Sequence, residues 1–303
     1  MADTLMIGIR FLLFADLMLI LGLAAFPLYA LGRLEGDVTG ITAGFAVAQP
    51  WLCGVGFLAS LGGMLTLTAS MQGVAVGDVA PAMFVSMATE TEVGRAWIAR
   101  MLALGVAIVA AGQLRRRPSG AGIILTLASA IALASLAWSG HAAASEGLAG
   151  TIHRAADALH MIAAGIWLGA IAAFLVLLRP AADDGEQPRF RIAAQSLERF
   201  ARVGTGCVIA IAATGLINFE IIVGLDSASR VLRSTYGYLL IAKLLLFSGM
   251  LALAALNRWR LTPALADTDG RPSSTAIRRS LALEASAAAS ILALVAILGT
   301  LEP

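Results

Sequence analysis

Eight separate stretches of about 20 or more apolar residues divide this chain, and that pattern constrains the fold before anything else does. A helix that crosses a bilayer's hydrocarbon core needs about 20 apolar residues. Within lipid only helices and closed barrels satisfy their own backbone hydrogen bonds. Runs this long predict helices, so the chain reads as an all-α, polytopic membrane bundle. The predicted spans are Ile7–Leu31, Phe45–Met71, Glu92–Leu114, Gly120–Ser139, His153–Leu178, Arg202–Val223, Tyr236–Trp259 and Ser280–Thr300. A stretch too short to cross, Val79–Thr89, predicts an interfacial or re-entrant helix begun by Pro81. The chain is 59% hydrophobic and only 13% charged, well short of the polar surface that a water-soluble domain needs. Residues 1–303 are expected to form a single integral membrane domain. The first apolar run is too long for a signal peptide and lacks a basic leader, so it is read as a retained helix.

The charges orient the bundle. Arg115, Arg116 and Arg117 follow span three. Arg179, Arg189, Arg191 and Arg199 lie between spans five and six, and Arg258, Arg260, Arg271, Arg278 and Arg279 surround the loop between seven and eight. These loops share a side, and the positive-inside rule makes it cytoplasmic. Both termini are then expected on the opposite face, the periplasm of a Gram-negative bacterium. The net charge of +2 argues for no nucleic-acid partner.

All three histidines, His141, His153 and His160, fall within twenty positions at the predicted outer ends of spans four and five. Histidine inside a membrane is costly and marks function. His153, Asp157 and His160 are spaced i, i+4, i+7 and share one helix face. Imidazoles and a carboxylate can ligate Cu(II) or Zn(II). Asp157 can instead fix a histidine tautomer. The same pattern also fits polar residues capping helix ends. Met71, Met83, Met87, Met101 and Met161 all map to the outer half, with Met83 and Met87 i, i+4 on the short helix. Thioethers favour Cu(I), although methionine also fills gaps in packing. The candidate metal set is therefore His141, His153, Asp157, His160, Met83, Met87 and Met161.

Further polar groups lie within spans. Lys243 is the only lysine, and Glu220 or Asp16 is its expected partner, as an ion pair or in transport. Glu284, near the inner end of the last span, has Arg202 and Arg258 as candidate partners. Cys53 and Cys207 map to inner halves, without a CxxC.

Gly140-His141-Ala142, His153-x3-Asp157-x2-His160 and Ala164-Gly165-Ile166-Trp167-Leu168-Gly169 resemble the copper resistance protein D family. So do Arg199-Phe200, Thr214-Gly215, Tyr236-Gly237-x2-Leu240-x2-Lys243, Asn257-Arg258 and Glu284. The resemblance covers nearly the whole chain and is most specific over 140–258. Ala170 stands where a second glycine is common. The resemblance implies a bacterial inner-membrane protein of copper homeostasis that moves copper ions, Cu(I) or Cu(II), from periplasm to cytoplasm. It also implies a small periplasmic copper-binding partner of the CopC type, which some members carry fused; no such soluble domain is expected here ahead of span one. No Walker A loop or phosphorylated-aspartate signature is present, so a transporter without direct ATP coupling is expected rather than an enzyme. The alternatives are a b-type haem cytochrome and a copper-binding sensor or assembly factor. Histidines clustered on one side do not suit axial haem pairs, which face each other across a bundle.

Overall fold

The computed structural model describes residues 2–31, 39–139, 147–179, 186–224, 227, 231, 233–263 and 271–301. Among them are nine α-helices and no strand: α1 Ala2–Phe26, α2 Thr39–Gln72, α3 Pro81–Glu90, α4 Glu92–Gln113, α5 Pro118–Ala134, α6 Gly147–Leu177, α7 Glu186–Ile222, α8 Thr235–Leu256 and α9 Arg271–Leu298. All but α3 are long and apolar enough to cross a membrane, so the eight predicted spans are all helices. Pro81 is at the first turn of α3, where its missing N–H costs nothing. The largest boundary difference is in α7. It begins at Glu186, well before Arg202, so the segment carrying Arg189, Arg191 and Arg199 is helical.

The lipid face shows in the exposure of apolar side chains. Leu102, Val109, Leu127, Leu216 and Leu245 are each more than 60% exposed on helices of strongly apolar composition. Apolar exposure on this scale suits contact with acyl chains and not with water.

Lipid is as apolar as leucine, so helix association inside it rests on close packing. α1 is the central helix and packs on α2, α5, α6 and α9. Its contact with α6 is set by glycine. Gly165 and Gly169, one turn apart on α6, receive Gly22 of α1. A Cβ at Gly22 would fall on the Gly165 carbonyl oxygen and the Gly169 Cα, and a Cβ at Gly169 would fall on the Gly22 backbone. Beyond this crossing, Phe26 is fully buried and meets Tyr29, Phe45 and Phe174 edge-on, with centroids 5.7, 6.2 and 5.1 Å away.

Polar side chains tie helices where they are buried. Ser60 of α2 is a double anchor: its carbonyl accepts from Trp97 Nε1 at 3.0 Å and its hydroxyl from Arg100 Nε at 2.7 Å. Trp97 thus ties α4 to α2. Arg10 of α1 donates to the Ser139 carbonyl at 3.4 Å and abuts Gly299 just past α9. The start of α1 and the end of α9 therefore share one end of the bundle, which also holds His153. The arginine-rich turns of 115–117 and 258–260 occupy the other.

Candidate functional site

A cavity of about 470 Å³ opens among α1, α2, α6, α7, α8 and α9 at the histidine end. α6 supplies its polar stripe, because residues 153, 157 and 160 recur on one face. All three line the cavity, as do Met161, Lys243, Arg10 and Asn218. His153 is buried, and Asp157 and His160 are half-buried. The predicted helix face thus opens onto an interior space and not onto lipid.

The stripe is a ladder and not a cage. Residues i and i+7 are separated by about 10 Å along a helix, so His153 and His160 cannot share one ion. Among the described residues, no three His, Cys, Asp or Glu side chains gather closely enough to hold a metal. Neighbouring rungs, one turn apart, are near enough for pairwise ligation. Among the described residues the histidines occupy a single helix, so none faces another across the bundle as axial haem ligands would. His141 lies outside the described residues.

The neighbours of His160 assign its tautomer. Thr214 of α7 has one hydroxyl proton, and the Ala210 carbonyl claims it at 2.5 Å. The Thr214 oxygen is left to accept from His160 Nδ1, 3.0 Å away. Nδ1 is therefore the protonated nitrogen, and Nε2 keeps a lone pair for a metal. Gly215 lies beside the imidazole, where even a Cβ would make only ordinary van der Waals contact with the ring, at 3.6 Å. Replacing Thr214 with valine removes the acceptor and frees the tautomer. Copper affinity measured by titration should then fall by about 10- to 100-fold, with folding retained.

Among the described residues Asp157 is the only carboxylate lining the cavity, against Arg10, Arg100 and Lys243. It accepts from Asn218 Nδ2 at 3.3 Å and interacts electrostatically with both Arg10 and Lys243. The carboxylate whose charge acts on Lys243 is thus Asp157, rather than Glu220 or Asp16. Glu220 is exposed near the end of α7. Asp16 is buried at the α1–α2 crossing, against Gly56 and near Cys53. A period read along one helix shows its faces but not which residue of another helix meets them.

The methionines divide. Met161 is buried and lines the cavity. Met83 and Met87 are on α3, which packs on α4 and α2, and neither lines the cavity. In their place α1 and α2 contribute Met6, Met18 and Met64, which sequence reading had not singled out. Arg10 was missed too. Its position one turn inside the first span was the available signal. Cys53 and Cys207 are free and buried, in separate packing clusters. Glu284 is answered not by Arg202 or Arg258 but by Asn257, whose Nδ2 donates at 2.6 Å.

Residues 1–151 match the family described as copper resistance protein D-like, N-terminal domain, and residues 194–298 match copper resistance protein D. The copper resistance protein D of Pseudomonas syringae pv. tomato is 38% identical over an alignment of 308 residues, which covers all of this chain and 98% of the relative. The chain belongs to the copper resistance protein D family. A second relative matched over its length is the inner membrane protein YebZ of Escherichia coli K12, 29% identical, with 98% of each chain covered. The copper transport protein CutJ of Bacillus subtilis is 36% identical over 126 residues, 41% of this chain and 22% of the relative. No solved structure matches. The chain is thus a multi-pass membrane protein of a copper resistance family. Its histidine stripe on α6 falls between the two matched segments.

Proposed function

We propose that the chain carries copper ions across a bacterial inner membrane, from periplasm to cytoplasm, through the cavity lined by His153, Asp157 and His160. The observation that carries this reading is the ladder itself, a run of metal-binding side chains one turn apart along an interior cavity in a copper resistance family. Rungs too far apart to share one ion suit hand-over along a path better than permanent storage. Met161, Met6, Met18 and Met64 give the cavity soft donors for Cu(I). The positive-inside rule supports a periplasmic histidine end, where a CopC-type carrier would deliver the metal. The protein acts as a carrier and not as an enzyme.

The test is copper uptake into proteoliposomes, paired with copper titration of the purified protein. Wild-type protein should load the vesicles with copper. Alanine at His141, His153 and His160 together should lower affinity by more than about 100-fold and stop uptake. Unchanged affinity in that variant would sink the site. Binding without uptake would make the protein a sensor or assembly factor, and a Soret absorption band would make it a haem protein.

A further inference from the structure

A second cavity, of about 180 Å³, lies among α6, α7, α8 and α9 at the arginine end. On α6 the first cavity ends at Ala164 and the second begins at Trp167. On α9 the first begins at Ile291 and the second includes Glu284. Trp167 is buried between them, its ring 6.0 Å from that of Phe247.

Glu284 lines this second cavity and is 2% exposed. Its donors are neutral: Asn257 Nδ2 at 2.6 Å, and the Trp167 indole. The one other charged side chain lining the cavity among the described residues is Arg258 of α8. Its Nη1 is engaged by Thr205 Oγ1 at 2.8 Å and the Ala201 carbonyl at 3.4 Å. α6 and α7 bring no titratable side chain to the cavity, and α1 brings no residue at all.

Asn257 is also buried, at 6% exposure, and its amide oxygen has no hydrogen-bond donor. An unsatisfied buried acceptor costs about 1–3 kcal/mol. Here it belongs to the same carboxamide that donates to Glu284, so the carboxylate and a donor-less acceptor share one side chain's reach. α8 widens at this point into a π-turn over Asn257–Leu261, in which the Asn257 carbonyl accepts from both the Thr262 N–H and, at 2.8 Å, the Thr262 Oγ1. Such widenings recur at functional sites.

We propose that Glu284 is a proton-binding site, whose carboxylate takes up a proton from the arginine-rich side and, as the acid, donates it in a hydrogen bond to the Asn257 amide oxygen. The proton supplies the missing donor and removes an unpaired charge from the membrane interior, and nothing else is consumed or released. Oxygen donors alone do not suit Cu(I), so this is a site for a hard cation and not a further copper rung. The charge of Glu284 also sets how firmly the Trp167 indole is held, which links proton binding to the partition between the two cavities. The site rests on the second cavity and not on copper passage.

Infrared difference spectra of the purified protein across a pH series test this. A carboxylic-acid carbonyl band should be present at neutral pH, vanish on alkalinisation, and be absent from Glu284→Gln but present in Asp157→Asn. If Glu284→Gln lacks no band that wild type shows, the proposal fails. Carbodiimide labelling with peptide mapping reads wild type directly, because the reagent attacks protonated carboxyls in apolar surroundings. Adduct on Glu284 that declines as pH rises supports the site, and adduct confined to other carboxylates overturns it.

Discussion

Alanine in place of Gly169 is expected to be among the most damaging single-methyl changes this protein can suffer. The added Cβ would fall on the Cα and carbonyl carbon of Gly22. Backbone cannot rotate aside as a side chain can, so α1 and α6 must separate along their whole contact. Overpacking typically costs about 1–3 kcal/mol, and a clash with backbone belongs at the top of that range. The thermal midpoint in detergent should fall by roughly 5–10 °C. Gly22→Ala should match it, because the clash is reciprocal. Gly54→Ala and Gly105→Ala, with open space at their Cβ positions, are the controls and should hold or gain stability. Since α6 carries the ladder, Gly169→Ala should also depress copper binding despite its distance from His153. A Gly169→Ala protein that melts with wild type would show that the helices do not cross so closely.

The same crossing shows what was legible in the sequence. The Gly165-x3-Gly169 spacing is visible on one helix, but nothing marks the single Gly22 as its receiver. Span positions were readable because bilayer thickness imposes length and hydropathy locally. The shared face of His153, Asp157 and His160 was readable because helical period is local as well. Partnerships between helices were not. Lys243 feels the charge of Asp157 of α6, and Glu284 meets Asn257 at the end of α8 and Trp167 of α6, because of where helices sit and not how they are spaced. Placing methionines in the outer half and reading i, i+4 spacing on the short helix selected Met83 and Met87. The face each helix turns inward selected Met6, Met18 and Met64.

Asp157→Asn should cause the largest loss at the site, and Lys243→Met should rescue part of it. Wild type sets one carboxylate among Arg10, Arg100 and Lys243. The amide keeps the shape but removes the only negative charge that the described residues bring to the cavity. Removing one partner of a fully buried ion pair costs about 3–5 kcal/mol. Asp157 is half-buried and its cavity is large enough to hold water, so on the order of 2 kcal/mol is expected. The effect on a metal cation is separate. At an effective dielectric of about 20, a unit charge roughly 6 Å away is worth about 3 kcal/mol, or about 100-fold in affinity. Asp157→Asn should therefore bind copper at least about 100-fold more weakly, even where it folds. Adding Lys243→Met restores the wild-type net charge of the cavity. Stability should then recover by about 0.5–1 kcal/mol, the lower part of the range for coupled residues, since the two act on each other through charge. Affinity should recover only the electrostatic share, because the ligating oxygen is still replaced. Unfolding in detergent and copper titration of all four proteins complete the cycle. Strictly additive losses in stability would mean that Lys243 and Asp157 do not interact. Full recovery of affinity would mean that Asp157 serves copper only through its charge and never as a ligand.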